Sequence, residues 1–192
     1  MAYATLAQLK DYLDIGQDTD DVLLQALIDR AQTAIDNYTH RNFEAETETR
    51  YFERKDLDES GFVLEVDRDL LTISTLTNGD SDGTNIPNTE YWLVPRNSTP
   101  KHGIRLKVNS VYSWEFDTDY WVTVVGTWGY SATAPDDIVQ AAIRLAAYYY
   151  AQKDSSTFDV TAVVEAGIIK VPQGIPKDVQ IILGPYVRQG LA

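Results

Sequence analysis

The chain has 192 residues, 44% of them hydrophobic and 11% aromatic, with a formal net charge of −13. That apolar content supports a packed core of one domain, or one domain carrying a large insertion, and excludes a disordered tail. Cysteine is absent, which excludes disulfide frameworks, thiolate zinc sites and cysteine nucleophiles.

The first 40 residues read as two helices. Thr5 is a candidate N-cap, and Leu6, Leu9 and Leu13 recur at helical spacing before Gly16 ends the run. Asp18, Asp20 and Asp21 then offer caps and first-turn carboxylates, which favour the positive end of a helix dipole; caps are the reading preferred over a metal cluster. Leu24, Leu27, Ile28, Ala31, Ile35 and Tyr38 form one apolar stripe on a long amphipathic helix.

From about Thr49 to Trp128 the period changes to two. Six short, aromatic and β-branched runs predict an antiparallel β-unit: 63–66, 71–74, 91–94, 104–108, 112–116 and 120–124. Asn-Gly, Asp-Gly, Pro and Asn-Ser punctuate them. The four Trp read as core or sheet-face packing rather than a ligand platform.

Helical periodicity returns at Pro135, which suits a first helical position because its missing N–H has no partner there anyway. Ile138, Ala141, Ala142, Leu145, Tyr148 and Tyr149 make one face, and Val139, Ile143, Ala146 and Tyr150 a second, with Gln140 and Arg144 interrupting. A helix apolar nearly all round needs cover on more than one side, and a neighbouring subunit is one source of it. Residues 155–175 read as a linker that orders on binding a partner, because a long structureless loop is unusual inside a compact domain. A short helix from Lys177 to Leu183 stops at Gly184-Pro185 and leaves Tyr186-Val187-Arg188 near the end. The expected fold class is α+β: a helical core of two N-terminal helices, a long helix 135–152 and a short C-terminal helix, with an antiparallel β-insertion. The expected divisions are 1–48 with 131–154, then 49–130, then an arm and docking helix at 155–192.

Few motifs carry chemistry. Asn78 to Gly83 spaces oxygen ligands like the start of a calcium loop, but its twelfth position is Thr89, with Glu90 one residue late, so a polar hairpin loop is the preferred reading. His40 and His102 stand apart, each without a neighbouring metal ligand, and read as ordinary surface or cap residues. No Gly-rich phosphate loop, nucleophile elbow or His-Glu metal helix is present. Catalytic, metal-binding and cofactor-binding residues are therefore expected to be none, and the protein is expected not to be an enzyme. No run approaches the roughly 18 apolar residues of a membrane helix, and Met1-Ala2-Tyr3-Ala4 lacks a signal-peptide pattern, so a cytoplasmic origin is expected. Residues 1–48 hold 3 basic and 10 acidic side chains, residues 49–130 hold 8 and 13, and residues 131–192 hold 5 and 6. Gripping DNA through its phosphates needs clustered cations, so this balance argues against tight nucleic-acid binding and suits a surface that repels it.

Four segments in order resemble the head–tail connector (head completion, or adaptor) proteins of tailed bacteriophages. The first two are Ala4-Thr5-Leu6-Ala7-Gln8-Leu9-Lys10-Asp11-Tyr12-Leu13 and the run from Asp20 to Ile28 that leads to Ile35-Asp36-Asn37-Tyr38-Thr39-His40-Arg41-Asn42-Phe43. In the middle, Leu71 to Asp80 leads to Tyr91-Trp92-Leu93-Val94-Pro95-Arg96-Asn97 and Gly103-Ile104-Arg105-Leu106, similar to a subgroup with a β-insertion. Gly126-Thr127-Trp128-Gly129-Tyr130, followed by Pro135-Asp136-Asp137-Ile138 and Ala141-Ala142, resembles that subgroup's junction, and Leu183-Gly184-Pro185-Tyr186-Val187-Arg188 its end. Residues 155–175 match nothing in the pattern.

The resemblance implies a ring of about twelve copies beneath the portal. The ring extends the DNA channel, DNA passes through without specific binding, and the next neck or tail-completion protein attaches below. It implies a virion location at the head–tail junction, assembly in the host cytoplasm, and no membrane partner or cofactor. Val139, Ile143, Ala146 and Tyr150 become candidate subunit-packing residues, and Ile181, Leu183, Tyr186 and Arg188 candidate portal-docking residues. Two rival functions are a tail-completion protein that binds the tail tube and a carbohydrate-binding or hydrolytic β-module suggested by the Trp and carboxylate content.

Overall fold

The computed structural model describes residues 2–80, 82–116, 121–153, 162–164, 167–169 and 174–188. In chain order the elements are α1 (Leu6–Leu13), α2 (Asp21–Thr39), β1 (Glu46–Glu53), a 3-10 turn (Arg54–Asp56), β2 (Val63–Asn78), β3 (Thr84–Asn85), β4 (Tyr91–Val94), β5 (Lys101–Leu106), β6 (Trp121–Trp128), α3 (Asp136–Ala151), β7 (Ala162–Val164), β8 (Gly167–Ile169), α4 (Lys177–Leu183) and a 3-10 turn (Gly184–Tyr186). The α+β class is as expected. The chain divides into two compact units, residues 1–40 with 134–192 and residues 41–133.

In the helical unit, α1 starts where Thr5 accepts from the Gln8 N–H while the Gln8 side chain accepts from the Thr5 N–H at 2.8 Å, a reciprocal capping box. It stops at Asp14, whose φ of 56° is left-handed. Of the predicted stripe in α2, Leu24, Leu27, Ile28, Ala31 and Ile35 are buried and Tyr38 is half-buried. His40 ends this helix in a left-handed conformation, φ 54°, the cap role expected of it. The acids before α2 differ from expectation. Asp20 stands at the N-cap position without making a side-chain cap bond; its carboxylate instead accepts from the Tyr150 hydroxyl and from Lys153 Nζ at 2.7 Å. Asp18 and Asp21 both accept from Lys10 Nζ at 2.7 Å. Opposite charges within reach thus outcompete the helix N–H groups for these carboxylates.

Pro135 sits at the N-cap of α3 with ψ 153°, one position earlier than expected. The cover for α3 comes from its own chain, since it packs against α1, α2 and α4. Ile138, Ala142, Leu145 and Ala146 are fully buried there, with Leu183 of α4. Each such Leu or Ile contributes roughly 1.5–3 kcal/mol through removal from water. Most of the expected linker at 155–175 lies outside the described residues. The described part pairs β7 with β8 as a short antiparallel hairpin, which the linker reading did not foresee.

The β-unit is a six-stranded antiparallel sheet in the order β1-β6-β2-β5-β4, with β3 paired to β2. Its core gathers Phe52, Leu64, Val66, Leu70, Leu76, Ile104, Val122, Val124 and Trp128, closed by Ile86 and Phe116. Two predicted runs, 63–66 and 71–74, are one strand, β2, which pairs with β5 over its first half and with β6 over its second. The polar stretch Asp67-Arg68-Asp69 that separates them in sequence falls at this change of partner, where the register shifts. The predicted strand at 112–116 does not form. Its backbone is bound by a side chain, Asn78 Nδ2 donating to Ser113 O at 2.8 Å and Asn78 Oδ1 accepting from Glu115 N at 3.4 Å. Phe116 is buried and Tyr112 and Trp114 pack against the core, so the aromatic residues are used without a ladder. Strand β1 was not predicted, because Glu46-Thr47-Glu48-Thr49-Arg50 is polar on both faces; it is an edge strand on β6.

Candidate interaction surfaces

The segments that carried the family resemblance have physical roles within each unit. In the β-unit, a Cβ on Gly126 would lie 2.4 Å from Thr72 O, so β6 approaches β2 as closely as it does because no side chain stands between them. Trp128 fills the core and donates from Nε1 to Glu48 O at 3.1 Å. Gly129 has φ +143°, and a Cβ there would lie 2.4 Å from Glu44 O. Tyr130 N donates to Asn42 O at 2.7 Å, and its ring packs on Phe43 and beneath the Arg41 guanidinium. Arg41 Nη1 in turn donates to Asp69 Oδ2 at 2.6 Å, with the Asp69 side chain 3% exposed. His102 Nδ1 stands 3.8 Å from the other carboxylate oxygen. This is a packed polar support for the end of the sheet.

The candidate residues of the helical unit divide by exposure. Val139 and Ile143 are half-buried on α3. Tyr150 is half-buried, its hydroxyl donating to Asp20, with Lys153 Nζ 2.9 Å from its oxygen. Ala146 is fully buried by the unit's own helices. On α4, Ile181 is 70% exposed, whereas Leu183 is fully buried. The buried pair serve the unit's interior, so their methyl groups are not presented to a partner in this conformation. Tyr186 donates from its hydroxyl to Asp137 at 3.2 Å, and Arg188 N donates to Thr39 O at 2.8 Å, so both help tie the segment after α4 to the unit. Arg144 pairs with Asp178 at 2.9 Å across α3 and α4.

The electrostatics of the unit are those of close ion pairs. Hydrogen bonds first from Lys153 and then from Tyr150 hold the Asp20 carboxyl below the usual carboxylate range. The hydrogen bond from Lys10 does the same for Asp18, and the pairing raises Lys10 in turn.

Sequence reasoning missed one surface entirely. On the β4–β5 ladder Trp92 stands opposite Arg105. Arg96 lies over the Trp92 ring, its Cζ 3.5 Å from the centroid, and Lys107 Nζ is 5.5 Å from the same centroid. These side chains, with Val94, Leu106 and Val108, border a cleft of about 580 Å³. Of the four Trp, Trp92 is the exposed one at 37%; Trp114 and Trp121 are half-buried and Trp128 is buried. The signal was present: residues 91–114 hold Arg96, Lys101, Arg105 and Lys107 and no Asp or Glu, in a chain with 29 acids.

Among the described residues no group of three or more His, Asp or Glu side chains is placed to hold a metal ion. The Asn78–Gly83 stretch forms the turn between β2 and β3, with Thr77 opposite Asn85 and Asn78 opposite Thr84; Ser81 lies outside the described residues. No described helix is long and apolar enough to cross a membrane.

The fold is similar to that of a chain from the neck of an empty gene transfer agent particle computed with C6 symmetry (TM-score 0.65, 18% identity, 99% of this chain and 92% of that one). A chain from the neck of the native particle, computed with C12 symmetry, is similar too (TM-score 0.63, 19% identity, 97% and 90% covered). So is a chain from the virion of the native gene transfer agent particle (TM-score 0.66, 18% identity, 99% and 92% covered). At these identities the likeness is one of fold. No curated protein is significantly similar in sequence. The family model for head completion proteins, however, matches residues 3–189, and on that match across nearly the whole length the chain belongs to the head completion protein family.

Proposed function

We propose that this chain is a structural subunit of the neck of a tailed virion, placed at the head–tail junction. Family membership over residues 3–189 carries the reading. The fold likeness to chains from particle necks computed with C6 and C12 symmetry supports it. Copies form a ring of about twelve beneath the portal, extend the DNA channel and offer a surface to the next neck or tail-completion protein. The role is assembly, not catalysis. The net charge of −13 suits a wall past which DNA slides, because carboxylates repel phosphates and give them nothing to grip.

Within this reading α4 faces the portal. Ile181 is its apolar contact, and Tyr186 and Arg188 fix the segment behind it. Val139 and Ile143 on α3 meet a neighbouring copy, while Ala146 and Leu183 act from the interior by keeping the helices packed.

Mass photometry of the protein alone and mixed with portal rings from the same virion tests the proposal. A portal-dependent gain of about 260 kDa is expected for about twelve copies of the 21.6 kDa chain. No gain on well-formed portals would move the protein to the tail side of the junction.

A further inference from the structure

The cleft on β4–β5 is chemically out of place in this protein. Elsewhere among the described residues seven of the cations, Lys10, Arg41, Arg50, Lys55, Arg68, Arg144 and Lys153, pair with carboxylates of their own unit. Arg96, Lys101, Arg105 and Lys107 do not. Lys107 Nζ donates to Thr89 O, Lys101 Nζ to Pro95 O at 2.7 Å, and Arg96 lies over the Trp92 ring. Arg105 is exposed, with no ion pair among the described residues. The Trp92 face attracts Arg96 and Lys107, but these cations and Arg105 across the ladder repel one another, and an anionic, partly apolar surface covering them relieves that repulsion. Val108, 86% exposed, extends the apolar part of the patch.

The helical unit presents a surface with the opposite chemistry. Asp11 and Asp14, in the last turn and cap of α1, are exposed and make no ion pair among the described residues. Tyr12 beside them is 54% exposed, and Val22 at the start of α2 is 87% exposed. Each side thus combines exposed apolar groups with unpaired charge, of opposite sign. A cyclic ring needs this arrangement, because a heterologous head-to-tail contact joins two different surfaces that every copy carries.

We infer that the Trp92–Arg96–Arg105 cleft of one copy receives the acidic Asp11–Asp14 end of α1 from a second copy. The inference rests on the ring proposed above and names its electrostatic contact. Arg105 and Arg96 meet the two carboxylates, and the Trp92 face and Val108 meet Tyr12 and Val22. Charge pairing of this kind sets register and partner choice, and it weakens as salt rises.

Two doubly substituted variants test it: Arg96→Glu with Arg105→Glu, and Asp11→Lys with Asp14→Lys. All four side chains are exposed or make no contact in the core, and circular dichroism with Trp fluorescence verifies that each variant folds. Self-association is followed by analytical ultracentrifugation, and ring growth on portals by mass photometry. Each variant alone should associate at least about tenfold more weakly than wild type, because like charges then face each other. The 1:1 mixture should recover association, since both contacts in an alternating assembly are again opposite in sign, and salt should weaken it. Variants that assemble alone as well as wild type would sink this contact and leave the neck reading standing. Recovery in the mixture with no gain on portals would do the reverse. No recovery, with duplex DNA binding by wild type that the Arg96→Glu, Arg105→Glu variant loses, would overturn the inference in favour of a nucleic-acid contact.

Discussion

The β-unit holds one ion pair deeper than any in the helical unit, while its others, such as Arg50–Asp67, Lys55–Glu53 and Arg68–Glu48, lie near the surface. In the β-unit the Arg41–Asp69 pair is closed off, its carboxylate 3% exposed, and Arg41 also lies 5.2 Å from the Tyr130 ring centroid. In the helical unit the pairs made by Lys10, Arg144 and Lys153 lie near the surface, where water and salt share the charges. A buried pair contributes little on balance while both partners are present, yet losing one strands an uncompensated charge. The β-unit is therefore vulnerable at single polar atoms. The helical unit is held by apolar faces and tolerates change among its charges. For a protein whose proposed work is contact, this leaves the surface charges of either unit free to change with a partner while the buried Arg41–Asp69 pair stays fixed.

That contrast is testable one unit at a time, because all four Trp lie in residues 41–133 and report the sheet, whereas the circular-dichroism signal at 222 nm is dominated by the helices. The largest effect is expected from Arg41→Ala. Leaving Asp69 buried without its partner should cost about 3–5 kcal/mol, read as an early loss of Trp fluorescence in urea. A variant with wild-type stability would mean that His102 or water already compensates the carboxylate. Next is Gly126→Ala. With Thr72 O at 2.4 Å from the added Cβ, and backbone on that side unable to yield as a side chain would, β6 must move away from β2 at a cost of about 1–3 kcal/mol. An unchanged urea midpoint would show that the sheet is looser than its packing indicates.

The same contrast explains what was legible in the sequence. The helices were, because their order is local: the α2 stripe from Leu24 to Ile35 repeats at helical spacing, and Thr5 and Gln8 are three residues apart as a capping box requires. The sheet was legible in class but less so in detail. Its decisive contacts span long separations, 28 residues between Arg41 and Asp69 and 35 between Asn78 and Ser113. Strand β1 carries polar residues on both faces, so alternation could not announce it, while the aromatic residues at 112–116 imitate a strand and pack against the core instead. The basic cleft was hidden for a similar reason. Four cations spread over twelve residues read as scattered until the register sets Trp92 opposite Arg105 and the chain after β4 folds Arg96 onto the ring. The exposure of Ile181 and the burial of Leu183, two residues apart on one short helix, follow from which face α4 turns to α3.

In the helical unit smaller effects are expected. Thr5→Ala removes one half of the capping box and should cost about 1 kcal/mol, seen at 222 nm with the Trp signal unmoved. Coincident loss of both signals would show that the units unfold together and would blunt the comparison.

The finest test is pH. Asp20 is held below the usual carboxylate range by its hydrogen bonds from Lys153 and Tyr150. A carboxyl whose folded pKa lies below its unfolded value contributes stability that is fully present above the unfolded value, about 3.9. The contribution fades as pH falls through the folded value, because the folded state must then take up the proton that the unfolded chain already carries. Asp20→Asn should therefore lower the 222 nm midpoint at neutral pH, flatten its decline below about pH 4, and converge with wild type at the acid end. Parallel curves for the two proteins over that range would mean that the Asp20–Lys153–Tyr150 cluster is no tighter in the folded chain than in the unfolded one. The helical unit would then owe its stability to apolar packing and to its remaining ion pairs, those of Lys10 and Arg144.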